Sequence, residues 1–408
     1  MRIRSITSFF DPLSPQANDQ LETLASFSQS LHNIITGQVM PVLSKRLATP
    51  PFPLFLAELD AEQQFAKVKM LSNRVREMGW DYLSIGPALP NHPWSYAAIP
   101  GLLGITEDLF CSAIIADESR FYPTAVRASA QVIKDVTHLR ADGFANLRFA
   151  ALANVPAGTP FFPAAYHKPG GRPAISLAVE CADAALSAFD GATDVDTARK
   201  TLLNNLEKAA QQITTAFKSV PRSNEIEFLG FDFSPAPFPE DWCSLGGAIE
   251  KIGLEHIGGC GSLGAVAIIA DTLDRGKWQR AGFNGMMLPV LEDSVLARRA
   301  EEGLLSIKDL LLYSTICGTG LDTIPLAGDT TLEQLEAVIM DIAVLSVRLD
   351  KPLTARLMPI PDKKVGDRTS FDFEYFANSR VIPLEGQKIS FPLRADQSIQ
   401  LIPRHKSK

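Results

Sequence analysis

The sequence predicts an α/β fold built on a mainly parallel sheet. Three observations carry that expectation. Short apolar runs of strand character alternate with longer stretches of helical period, Gly and Pro cluster where one gives way to the other, and polar residues recur at those junctions. Junctions of this kind gather at one end of the sheet, where ligands bind, so they also mark a candidate site.

Ala17 to Gly37 reads as an amphipathic helix and the Pro-rich run Thr49 to Pro53 follows it, which leaves residues 1–50 as an amino-terminal part of helical character. Asp60 can cap a helix in which Phe65, Val68, Leu71, Val75 and Met78 share one face. Tyr82 to Ile85 is strand-like and is closed by Gly86 and Pro87. Ala125 to Leu139 is helical, Leu147 to Ala153 and Ile175 to Val179 are buried strands, and Thr197 to Lys218 is a long helix with a polar face. Ile226 to Phe233 alternates as a strand and ends at Asp232. Ser244 can cap a helix to Ile252, and Gly261 or Ser262 can open another through Ala270. Phe283 to Pro289, Ser306 to Ile316, Thr330 to Val347 and Thr354 to Ile360 continue the pattern, with Thr330 and Glu333 as a capping box. Turn formers interrupt it near Pro169 to Arg172 and Pro221 to Ser223.

A length of 408 residues fits two or three ordinary domains or one large α/β barrel. Hydrophobic residues at 46% and charged residues at 21% describe a globular chain with a substantial core, so disorder is not indicated. The net charge of -7 argues against a general nucleic-acid binder, which needs a basic surface. No apolar run is long enough for a signal peptide or a membrane span, and a cytoplasmic address is expected. The five cysteines stand far apart and the six histidines are scattered, so a zinc ribbon or an HExxH helix is excluded and any metal needs ligands assembled by the fold.

Several residues stand out against blander readings. Gly259, Gly261 and Gly264 satisfy GxGxxG, yet a helix precedes them and no acid follows about 20 residues later, so a dinucleotide is disfavoured. An anion at that helix start, held by Gly258, Gly261 and Ser262, competes with a plain inter-helix turn. His167 precedes a Gly- and Pro-rich loop made cationic by Lys168 and Arg172, where it serves as acid, base or ligand unless it is a structural imidazole. Glu292 and Asp293 suit either helix capping or proton and metal chemistry. Asp232, at the end of an apolar strand, must find partners or raise its pKa. Cys317 is a turn thiol, nucleophilic or buried and inert. Arg356 lies in an apolar strand and needs a carboxylate, with Asp322 and Asp367 as candidates, or an anionic ligand.

Taken in order, Asn154, Pro160, Phe161 and His167, then Asp232, Ser234, Ala236 and Pro237, then Gly258 and Gly261, resemble the family catalogued as domain of unknown function 711. Gly285, Pro289, Glu292 and Asp293, then Cys317, Gly320, Leu321, Asp322, Gly328, Asp329 and Thr330, then Arg356, Pro359, Pro361, Gly366 and Asp367 continue the resemblance. Ile257 and Cys260 depart from the family's usual cysteine and proline in the glycine loop. The resemblance places the chain in the pyruvate formate-lyase-like superfamily and implies a large α/β barrel of about ten strands like that of glycyl radical enzymes, as one domain over residues 1–408. It does not imply their chemistry, because the tail QSIQLIPRHKSK has no glycine to carry a radical.

The expectation is therefore a cytoplasmic enzyme of a small anionic metabolite, with no glycyl radical and with neither nucleic acid nor membrane as a partner. Acid–base or divalent-metal chemistry would use His167, Asp232, Glu292, Asp293, Asp322 and Arg356, with Lys168, Gly258, Gly261, Ser262 and Cys317 binding the ligand. A homo-oligomer fits the same picture, and the alternative is a non-catalytic metabolite-binding or sensor protein on the same barrel. Substrate and cofactor are not legible.

Overall fold

The computed structural model describes residues 1–316 and 318–404. The chain enters through β1 (Arg2–Phe9), α1 (Ala17–Gln38), β2 (Lys45–Ala48) and the short α2 (Pro53–Leu56). Next, α3 (Ala61–Glu77) leads into β3 (Tyr82–Ala88), α4 (Trp94–Leu103) into β4 (Leu109–Ala116), and the two-residue β5 (Arg120–Phe121) into α5 (Pro123–Thr137). An irregular segment separates β6 (Phe149–Ala153) from β7 (Ala174–Glu180), and α6 (Ala182–Phe189) and α7 (Val195–Ser219) precede β8 (Glu227–Asp232). The chain continues through α8 (Leu245–Glu250), α9 (Ser262–Asp274), α10 (Ser294–Glu301) and α11 (Ile307–Ser314) to β9 (Gly320–Ala327), α12 (Leu332–Leu349), β10 (Leu353–Ile360) and β11 (Ile399–Gln400).

The strand order is β8-β7-β1-β2-β3-β4-β6-β10-β9, with β5 and β11 beside β4. A central block of β1, β2, β3, β4 and β6 is parallel. It is flanked by two reversed parallel pairs, β7 with β8 and β10 with β9, which join β1 and β6 antiparallel. Each parallel pair is linked by a helical crossover, as parallel strands require. Strands on both sides of Pro169 and of Pro221 belong to this one sheet.

The first fifty residues are not predominantly helical. RIRSITSF forms β1 between β7 and β2, and its covered residues on both faces hide the alternation that would reveal a strand. Phe283 to Pro289 is likewise not a regular strand. The capping box of the last long helix lies one residue on, at Thr331 and Gln334, while the Thr330 hydroxyl donates to the Ala327 carbonyl at 2.6 Å. Asp60 caps α3 as expected.

Helices cover one face of the sheet, where Ile6, Leu47, Leu83, Leu109 and Leu177 join the main core with Leu24, Val68, Val126, Leu202 and Ile339. The other face carries small residues. Ala48, Ala150, Ala174 and Ala178 leave room for residues 155–165 to lie against it through Phe161, Phe162, Ala164 and Ala165. Sheet hydroxyls satisfy the carbonyls of that irregular segment: Thr7 donates to Pro160 at 2.8 Å, Ser84 to Ala165 at 2.7 Å and Ser176 to Gly158 at 2.8 Å.

No hydrogen-bond ladder among the described residues closes β8 onto β9, yet residues 279–290 touch both edges. Phe231 N–H donates to the Gln279 carbonyl and Ala281 N–H to that of Phe231, while Val290 N–H donates to the carbonyl of Asp322 in β9. Among the described residues no helix is long and apolar enough to cross a membrane.

Gly230 sits at this contact with φ +119°, and a Cβ there would stand 2.4 Å from the Gln279 carbonyl oxygen. Gly230→Ala is expected to lower unfolding free energy by about 2–4 kcal/mol, through backbone strain plus loss of the edge contact. A denaturant titration showing a change below about 1 kcal/mol would mean that the 279–290 contact contributes little.

Candidate functional site

A cavity of about 660 Å³ lies on the second face of the sheet. Its lining draws Arg4 from β1, Arg46 from β2, Tyr82 from β3, Phe110 from β4 and Ala150 from β6, so it sits toward the amino-terminal ends of the parallel block. That is the opposite end from the one expected for open parallel sheets, because the reversed pair β10 and β9 supplies its charged partners at the same level. Phe161, Phe162 and Phe283 add apolar wall, and Phe371, Phe373 and Tyr375 from the irregular tail cover it.

Arg356 is the hub of the floor. Its Nε donates to Asp322 at 2.5 Å and its Nη2 to Glu292 at 2.8 Å. Glu292 accepts through its second oxygen from Arg4 Nη2 at 2.9 Å, and Arg4 Nη1 reaches Glu180 in β7 at 2.5 Å. Burial works to lower the Arg4 and Arg356 pKa values, but the flanking carboxylates win and hold both raised. Asp322 Oδ2 accepts no hydrogen bond from the described residues. Asp367, the other partner considered for Arg356, instead accepts from Lys364 N–H.

Two β-bulges aim these charges. Ile3 pairs with Val179 and Ser5 with Ala178, which leaves Arg4 as the extra residue of β1. Ala355 pairs with Leu321 and Leu357 with Ile324, so Asp322 and Thr323 together face Arg356. Thr323 adopts φ +45°, a strained value for a β-branched residue, and its buried hydroxyl has no hydrogen-bond partner among the described residues.

Arg46 is different. Nε donates to Ser44 at 3.0 Å, the rings of Tyr82 and Phe162 lie 5.6 and 5.2 Å away, and no carboxylate among the described residues stands within 4 Å. Burial, then the positive charge of Arg4, pushes its pKa down to about 10, which leaves it charged at neutral pH.

Of the residues expected from sequence, Glu292, Asp322 and Arg356 meet here. The other described ones lie outside the cavity lining. Asp232 is buried and binds the 283–284 turn: it accepts from Phe283 N–H at 2.7 Å, Asn284 N–H at 2.9 Å and the Ser234 hydroxyl at 2.6 Å. Asp293 clamps two helix starts, accepting from Val295 and Leu296 of α10 and from Leu245 and Gly246 of α8. The His167 ring packs on Phe9 and against the Gly171 backbone, away from the cavity, and burial pushes its pKa down. Lys168 is exposed. Gly258 approaches the Leu304 carbonyl too closely for a Cβ and donates to Ser262 at 3.2 Å, so Gly258, Gly261 and Ser262 form an inter-helix turn outside the cavity lining. Cys317 lies outside the described residues. Among those residues no three His, Cys, Asp or Glu side chains gather as a metal site.

Arg4, Arg46 and Glu180 were missed. The signal was available: an arginine within an apolar strand marked Arg356, and the same test applies to RIRSI and KRLA.

The model for the family described as Uncharacterised ACR (DUF711) matches residues 1–379. The chain belongs to this family. It is 30% identical over 348 residues to a UPF0210 protein of Methanopyrus kandleri, covering 80% of this chain and 76% of the relative. A UPF0210 protein of Acetivibrio thermocellus is 29% identical over 81% of this chain and 77% of its own length. Another from Pyrobaculum aerophilum reaches 36% over 60% and 55% respectively. The names of these relatives assign no reaction.

Asp232→Asn and Asp293→Ala are expected to destabilise the fold by about 1–3 and 2–4 kcal/mol through unsatisfied buried N–H groups, and to leave cavity ligands bound. Calorimetric ligand binding that collapses in a still-folded Asp232→Asn protein would return that carboxylate to the site.

Proposed function

We propose that this protein is an enzyme that binds a small organic anion in the arginine-lined cavity and acts on it by acid–base chemistry. The observation that carries this reading is Arg46, a cavity guanidinium with no carboxylate partner among the described residues. A desolvated cation of this kind calls for an anion, and its planar fork suits a carboxylate. Asp322 is the proposed base, oriented by Arg356 through one oxygen and offering the other to substrate. Charge that develops as a proton leaves the carbon beside the carboxylate is delocalised onto the carboxylate oxygens, where Arg46 would stabilise it. The strained Thr323 beside Asp322 supports a catalytic use of the bulge.

The cavity is on this reading the interior of a ten-stave barrel of the pyruvate formate-lyase-like type, with residues 279–290 as the tenth stave. Support comes from the contacts that this segment makes with β8 and β9.

Incubation with a panel of small carboxylates in D2O tests the function, with exchange at carbon read by NMR. Asp322→Asn is expected to bind but not exchange, and Arg46→Met to lose binding. If no carboxylate exchanges with the wild-type protein, the catalytic part of the reading is wrong.

The pH dependence follows from Arg46. Its charged form binds the anion, and its pKa is depressed to about 10, so affinity should hold from neutral pH upward and then weaken by about tenfold per unit above pH 10. Affinity that is unchanged at pH 11 would show that burial does not depress the Arg46 pKa, and the Arg46→Met variant then decides whether it is the anchor.

A further inference from the structure

The charges around the cavity are unequal in a way that selects among anions. Arg2, Glu180, Arg4, Glu292, Arg356 and Asp322 form an alternating chain with contacts of 2.5, 2.5, 2.9, 2.8 and 2.5 Å. Three guanidiniums meet three carboxylates, and the chain is neutral. Arg46 stands outside it, and its two terminal nitrogens make no hydrogen bond with the described residues. The floor therefore carries one uncompensated positive charge.

The mouth has the opposite character. Asp81, Glu107, Asp142, Asp372 and Glu374 line it and are exposed. Of the two arginines beside them, Arg140 pairs with Glu107 and Asp142, and Arg148 donates to the Leu103 and Thr106 carbonyls. Between floor and mouth the walls are aromatic: Phe110 stands edge-on to both Tyr82 and Phe162, with ring centroids 5.5 and 5.3 Å apart. A second negative charge on the ligand would fall among these rings or against the acidic mouth, and the paired guanidiniums are already shared with carboxylates.

Resting on the reading that the cavity binds an organic anion, we propose that its ligand class is a monocarboxylate with an apolar body, held by Arg46 with the body among the aromatic rings, and that dicarboxylates and phosphate esters are discriminated against. Arg46 Cζ lies over the Tyr82 and Phe162 rings, and its two terminal nitrogens, which make no hydrogen bond with the described residues, are left for the ligand. Pairing then neutralises the floor.

Calorimetry on the full chain would compare phenylacetate, 3-phenylpropionate and 4-methylpentanoate with their amides, with 1,4-phenylenediacetate and with phenyl phosphate. At least one monocarboxylate should bind about tenfold or more tighter than its amide and than either dianion. Arg46→Met should remove that preference and Arg46→Lys retain part of it, in protein whose circular dichroism matches wild type. Dianions that bind as tightly as the monocarboxylates in the wild-type chain would overturn the charge rule and leave organic-anion binding intact. If no anion of either charge binds, both readings fall. The wild-type comparison decides the charge rule even if an Arg46 variant does not fold.

Discussion

The buried chain of alternating guanidiniums and carboxylates is the constraint on which the rest of the molecule turns. Taking such groups out of water is costly unless every one is paired, and removing one partner from a buried pair typically costs about 3–5 kcal/mol. Glu292 joins Arg4 in β1 to Arg356 in β10. In the strand order those two strands stand five steps apart, about 24 Å in a flat sheet at ordinary strand spacing. Two guanidiniums that share one carboxylate therefore require the sheet to curl. The curl in turn encloses the face covered by residues 155–165 and makes the cavity.

The alternation of strand and helix was legible because helical crossovers have caps and periods that do not depend on tertiary context. Asp60, Ser244 and Asp194 start helices by local hydrogen bonds that the chain alone dictates. The reversed flanks were not legible. Direction of pairing between β7 and β1, or between β10 and β6, is set by contacts more than a hundred residues apart in sequence, and both faces of these strands are covered, so no pattern of exposure marks them.

At the site, Glu292, Asp322 and Arg356 were legible as charges in apolar surroundings, and the same physics explains the misses. Asp232 and Asp293 also sit in apolar surroundings, but backbone N–H groups of turns and helix starts satisfy them, and a sequence does not say whether a carboxylate will find side chains or main chain. Arg4 escaped notice because RIRSITSF was not read as a strand: its covered faces show no alternation, so the test that marked Arg356 was not applied there. Asp322 lies within β9, where a second bulge turns it toward Arg356.

Arg46 and Arg356 show how one side chain in one cavity takes two roles. Arg356 offsets its desolvation with two carboxylates and is raised in pKa; Arg46 has two ring faces and a serine hydroxyl and is lowered. Cation–π contacts contribute about 0.5–2 kcal/mol each, enough to keep the guanidinium in place but less than the carboxylate that Arg356 enjoys on each side. The terminal nitrogens of Arg46, a residue of the cavity lining, make no hydrogen bond with the described residues. Arg46 thus keeps a charge that no carboxylate among the described residues balances within 4 Å, and the neutral chain beside it leaves that single charge for the proposed anion.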